Sequence, residues 1–247
     1  MDHFPNLKKA PIVEALIDIR VEFPPEFKFD SLKALHELVN AKYPILKTRM
    51  RMEGQFTFGK GTPGVETSHN EPDGFIYTSR NKKNIFQSNL GGFTFSRLKP
   101  YENWKNFSRE AFRLWSLYSK TFEPFRIKRI ATRFINRLEL PLPIGNFEDF
   151  LTGPPRIPPR LPQTLISFFS RVVIPEPRNA AVATIMLATE QPPNPEILPV
   201  LLDIDVFKEV DFDWKGKKTW GIVEDFREVK NRIFFDSITE KLEARYK

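Results

Sequence analysis

The sequence predicts an α+β protein of two halves, each a mostly antiparallel sheet with a long helix packed on one face. Three observations carry this expectation. Strand-like segments recur on both sides of residue 150, and the clearest, 12–23, alternates apolar and polar residues. Two long segments, 101–122 and 220–235, repeat apolar residues at spacings of three and four, the helical period. Between them, residues 141–162 are dense in proline, which fixes φ and removes backbone donors. The expected organisation is a basic N-terminal half over 1–140, a Pro-rich connector over 141–163 and a C-terminal half over 164–247.

In the 12–23 strand Val13, Ala15, Ile17, Ile19, Val21 and Phe23 alternate with Glu14, Asp18, Arg20 and Glu22, with Leu16 the one interruption. One face therefore meets a core and the other meets water. Pro24 and Pro25 end it. Asp30 or Ser31 can cap a helix through about residue 41, with Leu32, Leu35, Leu38 and Val39 on one side. Short strands are expected at 55–58, 74–79 and 84–90, the last two flanking a polar hairpin turn at 80–83. Gly91 and Gly92 break the chain before another strand at 93–98. The 101–122 helix carries Trp104, Phe107, Ala111, Leu114, Trp115, Tyr118 and Phe122 in register, and Pro124 stops it. A strand over 127–140 follows, and a short helical turn is expected at 146–151. Strands are expected at 165–174, 180–189 and 199–207. The 220–235 helix aligns Ile222, Phe226, Val229 and Ile233. Ser237 to Glu240 has capping-box spacing, so either a second helix starts there or one kinked helix runs on.

The chain has 247 residues, of which 40% are hydrophobic and 24 are Phe, enough for a large core rich in rings. It has no Cys, which excludes disulfides, thiolate metal sites and cysteine nucleophiles. The first residues lack an apolar signal core, and no apolar run is long enough for a bilayer, so a soluble, cytoplasmic protein without a membrane partner is expected. The net charge of +7 is uneven: residues 1–140 carry +9 and 141–247 carry −2. A basic first half can attract a polyanion, and it can equally serve solubility.

The 127–140 strand supplies the candidate binding surface. Arg129, Arg133 and Arg137 fall on one face with Ala131 and Ile135, at a strand rise that separates neighbouring guanidinium groups by about 13 Å. That spacing suits an extended polyanion better than a single phosphate. Arg126 and Lys128 lie close by on the other face. Arginines bind phosphate through charge-assisted, often bidentate hydrogen bonds. The same residues can instead pair with Glu14, Asp18 or Glu22 on the first strand. Asn136 suits buried backbone better than a base edge.

Other constellations are weaker. Asp203 and Asp205 share a strand face about 6–7 Å apart, a spacing that can hold Mg²⁺ in phosphoryl transfer. The Gly-Ser turn such enzymes place upstream is missing. Only His3, His36 and His69 are present, and His69 sits among acidic and amide residues in an expected loop. Residues 59–64 are glycine-rich but lack the phosphate-loop order. Residues 156–162 match an RxxPxxP polyproline spacing and read equally as a stiff connector. No G-x-S-x-G elbow occurs.

Four strings in order carry a resemblance: Pro11 to Ala15, Arg133 to Arg137, Leu202 to Asp205 and Phe235 to Thr239. Together they resemble a sporadically distributed prokaryotic family of proteins of about this length with no assigned function. The resemblance spans nearly the whole chain and implies no activity, cofactor or catalytic residue. The expected function is a non-enzymatic binding or accessory protein that engages nucleic acid, another polyanion or a protein through Arg129, Arg133, Arg137 and Lys128, with no cofactor. Two alternatives stand beside it: a metal-dependent phosphoryl-transfer enzyme using Asp203 and Asp205, and a scaffold that self-associates through an exposed sheet edge.

Overall fold

The computed structural model describes residues 4, 5, 7–56, 65–163, 165–215 and 218–247, with the backbone alone for 51–56 and 65–70. Among the described residues nine strands form one antiparallel sheet: β1 (Ile12–Glu22), β2 (Ile45–Phe56), β3 (Val65–Thr78), β4 (Asn84–Asn89), β5 (Gly92–Leu98), β6 (Arg126–Pro141), β7 (Phe169–Glu176), β8 (Ala181–Thr189) and β9 (Ile197–Phe212). The helices are α1 (Ala34–Val39), α2 (Trp104–Phe122), α3 (Lys218–Ser237) and α4 (Glu240–Glu243). The strand order is β2-β3-β4-β5-β1-β6-β9-β8-β7.

The α+β class is therefore as expected, but the two halves are not. The strand expected to close the first half, β6, pairs with β1 on one side and with β9 on the other. It is the seam of a single sheet. The proline-rich segment leaves that sheet at Pro141 and returns at Phe169, so it does not link two sheets.

One sheet face is covered by helices. Ala15, Ile17 and Ile19 of β1, Phe93 and Phe95 of β5, Phe134 and Leu138 of β6, and Val200 to Val206 at alternate positions of β9 are buried there. Rings stitch α2 onto it: Phe93 meets Trp115 and Tyr118, and Phe134 meets Trp104 and Phe107. Asn103 caps α2 by accepting a hydrogen bond from the Asn106 amide, and Glu123 in the left-handed region ends it. At the start of β5, Gly92 has φ +144° and lies against β1 so closely that a Cβ would come within 2.2 Å of the Ile19 carbonyl oxygen.

Several expected boundaries move for identifiable reasons. β2 starts at Ile45, well before the expected strand at 55–58 (57 and 58 lie outside the described residues). It is an edge strand, and its exposed Leu46 and Met50 leave no burial pattern to read. β3 reaches back through Pro72, where it pairs with β2 alone, so the missing proline N–H faces no second strand. The expected 74–79 to 84–90 hairpin is present. The helix expected up to 41 splits into a 3₁₀ turn (Phe29–Lys33) and the short α1. β7 begins at Phe169 and continues through Pro175, tolerated because β7 is the other edge. Of the two C-terminal readings, separate helices form, but Thr239 caps α4, while the Ser237 hydroxyl donates to the Ile233 carbonyl.

Candidate functional site

The three arginines of β6 do share the face that the helices leave open, and there they meet carboxylates from both neighbouring strands. Antiparallel register sets Arg133 opposite Asp205 and Arg129 opposite Glu209 on β9, with Asp18 of β1 opposite Ala131, two residues along from Arg129. Arg129 reaches Asp18 at 3.1 Å, Asp205 at 3.3 Å and Glu209 at 3.7 Å, and its guanidinium lies 4.5 Å from the centre of the Phe207 ring. Arg133 holds Asp203 through three hydrogen bonds, Nε to Oδ1 at 2.8 Å and to Oδ2 at 3.1 Å, and Nη2 to Oδ2 at 2.5 Å. Arg137 bonds Glu190 at 2.7 Å and approaches Glu139 at 3.6 Å. Asp18 also accepts from the Thr94 hydroxyl at 2.8 Å. The result is a lattice of alternating charge. Burial pushes the Asp205 carboxyl up, with Asp203 and Asp18 adding to this and the Arg129 and Arg133 charges opposing it. The hydrogen bond to Asp203 pushes Arg133 up.

A β-bulge corrects one expectation. Between Ile127 and Arg129 the register shifts, so that Ile127 and Ile130 both enter the core. Arg126 and Lys128 consequently join the open face, where Arg126 pairs with Asp211 and Lys128 sits 3.4 Å from both Glu22 and Asp211. Asp203 and Asp205 are adjacent on that face as expected, and each is engaged by an arginine. Among the described residues no cluster of three or more His, Cys, Asp or Glu has the arrangement of a metal site. Asn136 donates its amide to the Leu202 carbonyl at 3.0 Å, the backbone role expected of it. The ring of His36 faces Tyr77. His69 lies in β3, not in a loop, and its side chain is outside the described residues, as are His3 and the glycine-rich 59–64 segment.

The helix-covered side holds a feature that no local sequence pattern announces. A cavity of about 540 Å³ opens between the start of α2, α3 and the sheet. Phe134 and Asn136 of β6 and Ile204 of β9 form its floor. Arg227, Lys230, Phe234 and Phe235 of α3 form one wall, and Tyr101 to Asn106 form the other. The walls are tied by the Trp104 indole, which donates to the Glu224 carboxylate at 2.8 Å. Phe4 closes one side, stacked on Phe235 at 5.2 Å.

Lys230 is the unusual residue of this cavity. It is partly buried, and its Nζ makes no hydrogen bond or ion pair among the described residues. It sits 4.0 Å from the centre of the Phe134 ring. Burial, reinforced by the charge of Arg227 and opposed by Glu228, lowers its pKa to about 7. A signal for it was present: Lys230 stands four residues after Phe226 and three before Ile233, beside the apolar stripe of α3. The partners that make the site, Phe134 and Tyr101, are far away in sequence.

Compared with protein-family models and with curated proteins, the chain finds no significant match. Among the described residues no helix is long and apolar enough to cross a membrane.

Proposed function

We propose that the protein is a non-enzymatic binding protein whose site is the cavity beside Lys230 and whose ligand is a small organic molecule. One observation carries this reading: an aromatic-floored cavity contains an ammonium group without a hydrogen-bonding partner among the described residues. Apolar enclosures with a few convergent polar groups are the usual form of small-molecule sites, and leaving a partly buried cation unpaired costs stability that a bound ligand would recover. The test is a titration with the neutral fluorophore N-phenyl-1-naphthylamine. Wild type should bind it saturably, one per chain, and Asn231→Trp, which puts a large ring into the cavity, should abolish binding without lowering Tm. Absence of saturable binding, or binding indifferent to the filled cavity, overturns the reading.

The open sheet face is the rival location, as a polyanion surface. Its arginines already face carboxylates, which argues against free positive potential there. Salt-sensitive binding to nucleic acid that is lost when Arg129, Arg133 and Arg137 all become Gln would move the site to that face. A second reading, self-association, is favoured by β7. This edge exposes Phe169, Val172, Val173 and Ile174. Two-fold antiparallel pairing centred on Val173 would set Val172 of one copy opposite Ile174 of the other and bring no like charges face to face. A dimer by light scattering that Val173→Lys disperses would support it, and a monomer at all concentrations would remove it.

A further inference from the structure

We infer that the ligand of this cavity is an organic anion whose acidic head sits against Lys230 and whose apolar body lies over Phe134, Phe234 and Trp104. The inference rests on the binding reading above and narrows it to one chemical class.

The charges at the cavity argue for it. Its lining carries Lys105, Arg227 and Lys230 against one carboxylate, Glu102. That carboxylate is already occupied by Arg97 at 2.9 Å and by the Asn106 amide group at 3.1 Å. Glu224, nearby on α3, is engaged by the Trp104 indole. The nineteen-residue α2 points its N-terminus here, adding the positive end of its dipole. Its first-turn amides at Asn106 and Phe107 are satisfied by Asn103. A cationic ligand would meet repulsion from the Lys230 ammonium and from a helix end. A neutral one would leave Lys230 as it is.

The protonation of Lys230 sharpens the inference. Among the described residues, the groups around it are Arg227, Glu228 and Glu224 on its own helix and Tyr101, Glu102 and Lys105 on the opposite wall, while the floor formed by Phe134, Asn136 and Ile204 and the N-terminal lining residues Phe4, Pro5, Leu7, Ala10 and Pro11 carry no titratable side chain. Burial and Arg227 draw its proton off near neutral pH. An anion seated beside Nζ favours the charged form and reverses that effect, so binding takes up a proton above about pH 7. Affinity for an anion should therefore fall as pH rises through that range.

Two fluorophores sharing one skeleton test this: 1-anilinonaphthalene-8-sulfonate and neutral N-phenyl-1-naphthylamine. Wild type at pH 6 should bind the sulfonate about tenfold more tightly than the neutral probe, the scale of one charge-assisted hydrogen bond. Lys230→Met should erase the preference, and Lys230→Glu should drive sulfonate binding below neutral-probe binding. Lys241→Met, an exposed site over Phe150, should keep the preference. From pH 6 to pH 9 the sulfonate affinity of wild type should fall while neutral-probe affinity stays level. Equal binding of both probes, or a preference that survives Lys230→Met, overturns the anion inference and leaves the binding reading standing. If neither probe binds, the binding reading itself falls.

Discussion

Lys230 shows how one side chain couples burial to pH. An unfolded lysine titrates near 10.5, and burial beside the Arg227 charge lowers Lys230 to about 7 in the fold. Between those values the unfolded chain holds the extra proton, so stability rises with pH across that window. At and below pH 7 the fold bears the full cost of the charge. The residue is only partly buried, so the cost is discounted to roughly 1–3 kcal/mol. Lys230→Met should therefore exceed wild type in stability at pH 6, with the gap closing by pH 10. Urea denaturation of both proteins at the two values checks this, and a gap that does not change with pH contradicts it. Lys230 was half legible in the sequence: helical phase places it beside the core, but nothing in α3 alone says that the space opposite is empty.

Among the elements, β6 depends on long-range charge and α2 on a local cluster. Arg133 is the partner of the nearly buried Asp203, so Arg133→Met strands a carboxylate on the sheet. A loss of about 3 kcal/mol is expected, and adding Asp203→Leu should restore most of it. Thermal unfolding of the single and double variants measures this, and additive losses would show the pair to be inert. On α2, Glu110 binds Lys42, Tyr43 and Arg113, each at 2.8 Å. Burial pushes its carboxyl up, but those three hydrogen bonds outweigh this and hold it at about 2. A depressed carboxylate contributes stability above its unfolded pKa near 4.5 and loses it as pH falls toward 2. Glu110→Gln should thus be less stable than wild type at pH 7, by about 1–3 kcal/mol, and nearly equal to it at pH 2. Denaturation at both values decides it.

The same contrast explains which elements could be read in advance. β1 and α2 bury one clean face, and their periodicity announces them. The outer end of β9, beyond Phe207, could not be read, because Glu209 and Asp211 look solvated until Arg129 and Arg126 arrive from β6. The arginine face of β6 was legible as a face. Its neutralisation was only partly legible, since Asp18 was foreseeable as a partner and the β9 acids were not. The bulge that brings Arg126 and Lys128 to that face left no periodic signal.

At the scale of the molecule, the single sheet follows from pairings that no local pattern encodes. β1 lies between β5 and β6, and β6 lies between β1 and β9, so chain order and strand order diverge. Proline density in 142–168 imitates a domain linker because both a linker and a surface excursion need stiff backbone without ladder hydrogen bonds. The cavity is more remote still. It needs the N-terminal segment, the start of α2, the centre of the sheet and α3 to meet, and each alone reads as ordinary core. Among the described residues, the fold divides the sheet into a face where arginines meet carboxylates and a face where the Lys230 ammonium lies beside an open space without a hydrogen-bonding partner. The latter is where the protein is proposed to act.

The most direct measurement is a crystal structure of the complex with 1-anilinonaphthalene-8-sulfonate. The sulfonate should lie about 3 Å from Lys230 Nζ, with the rings between Phe134 and Phe234. A sulfonate seated on the arginines of the open face, or rings stacked on the β7 edge with the Lys230 cavity empty, would contradict it.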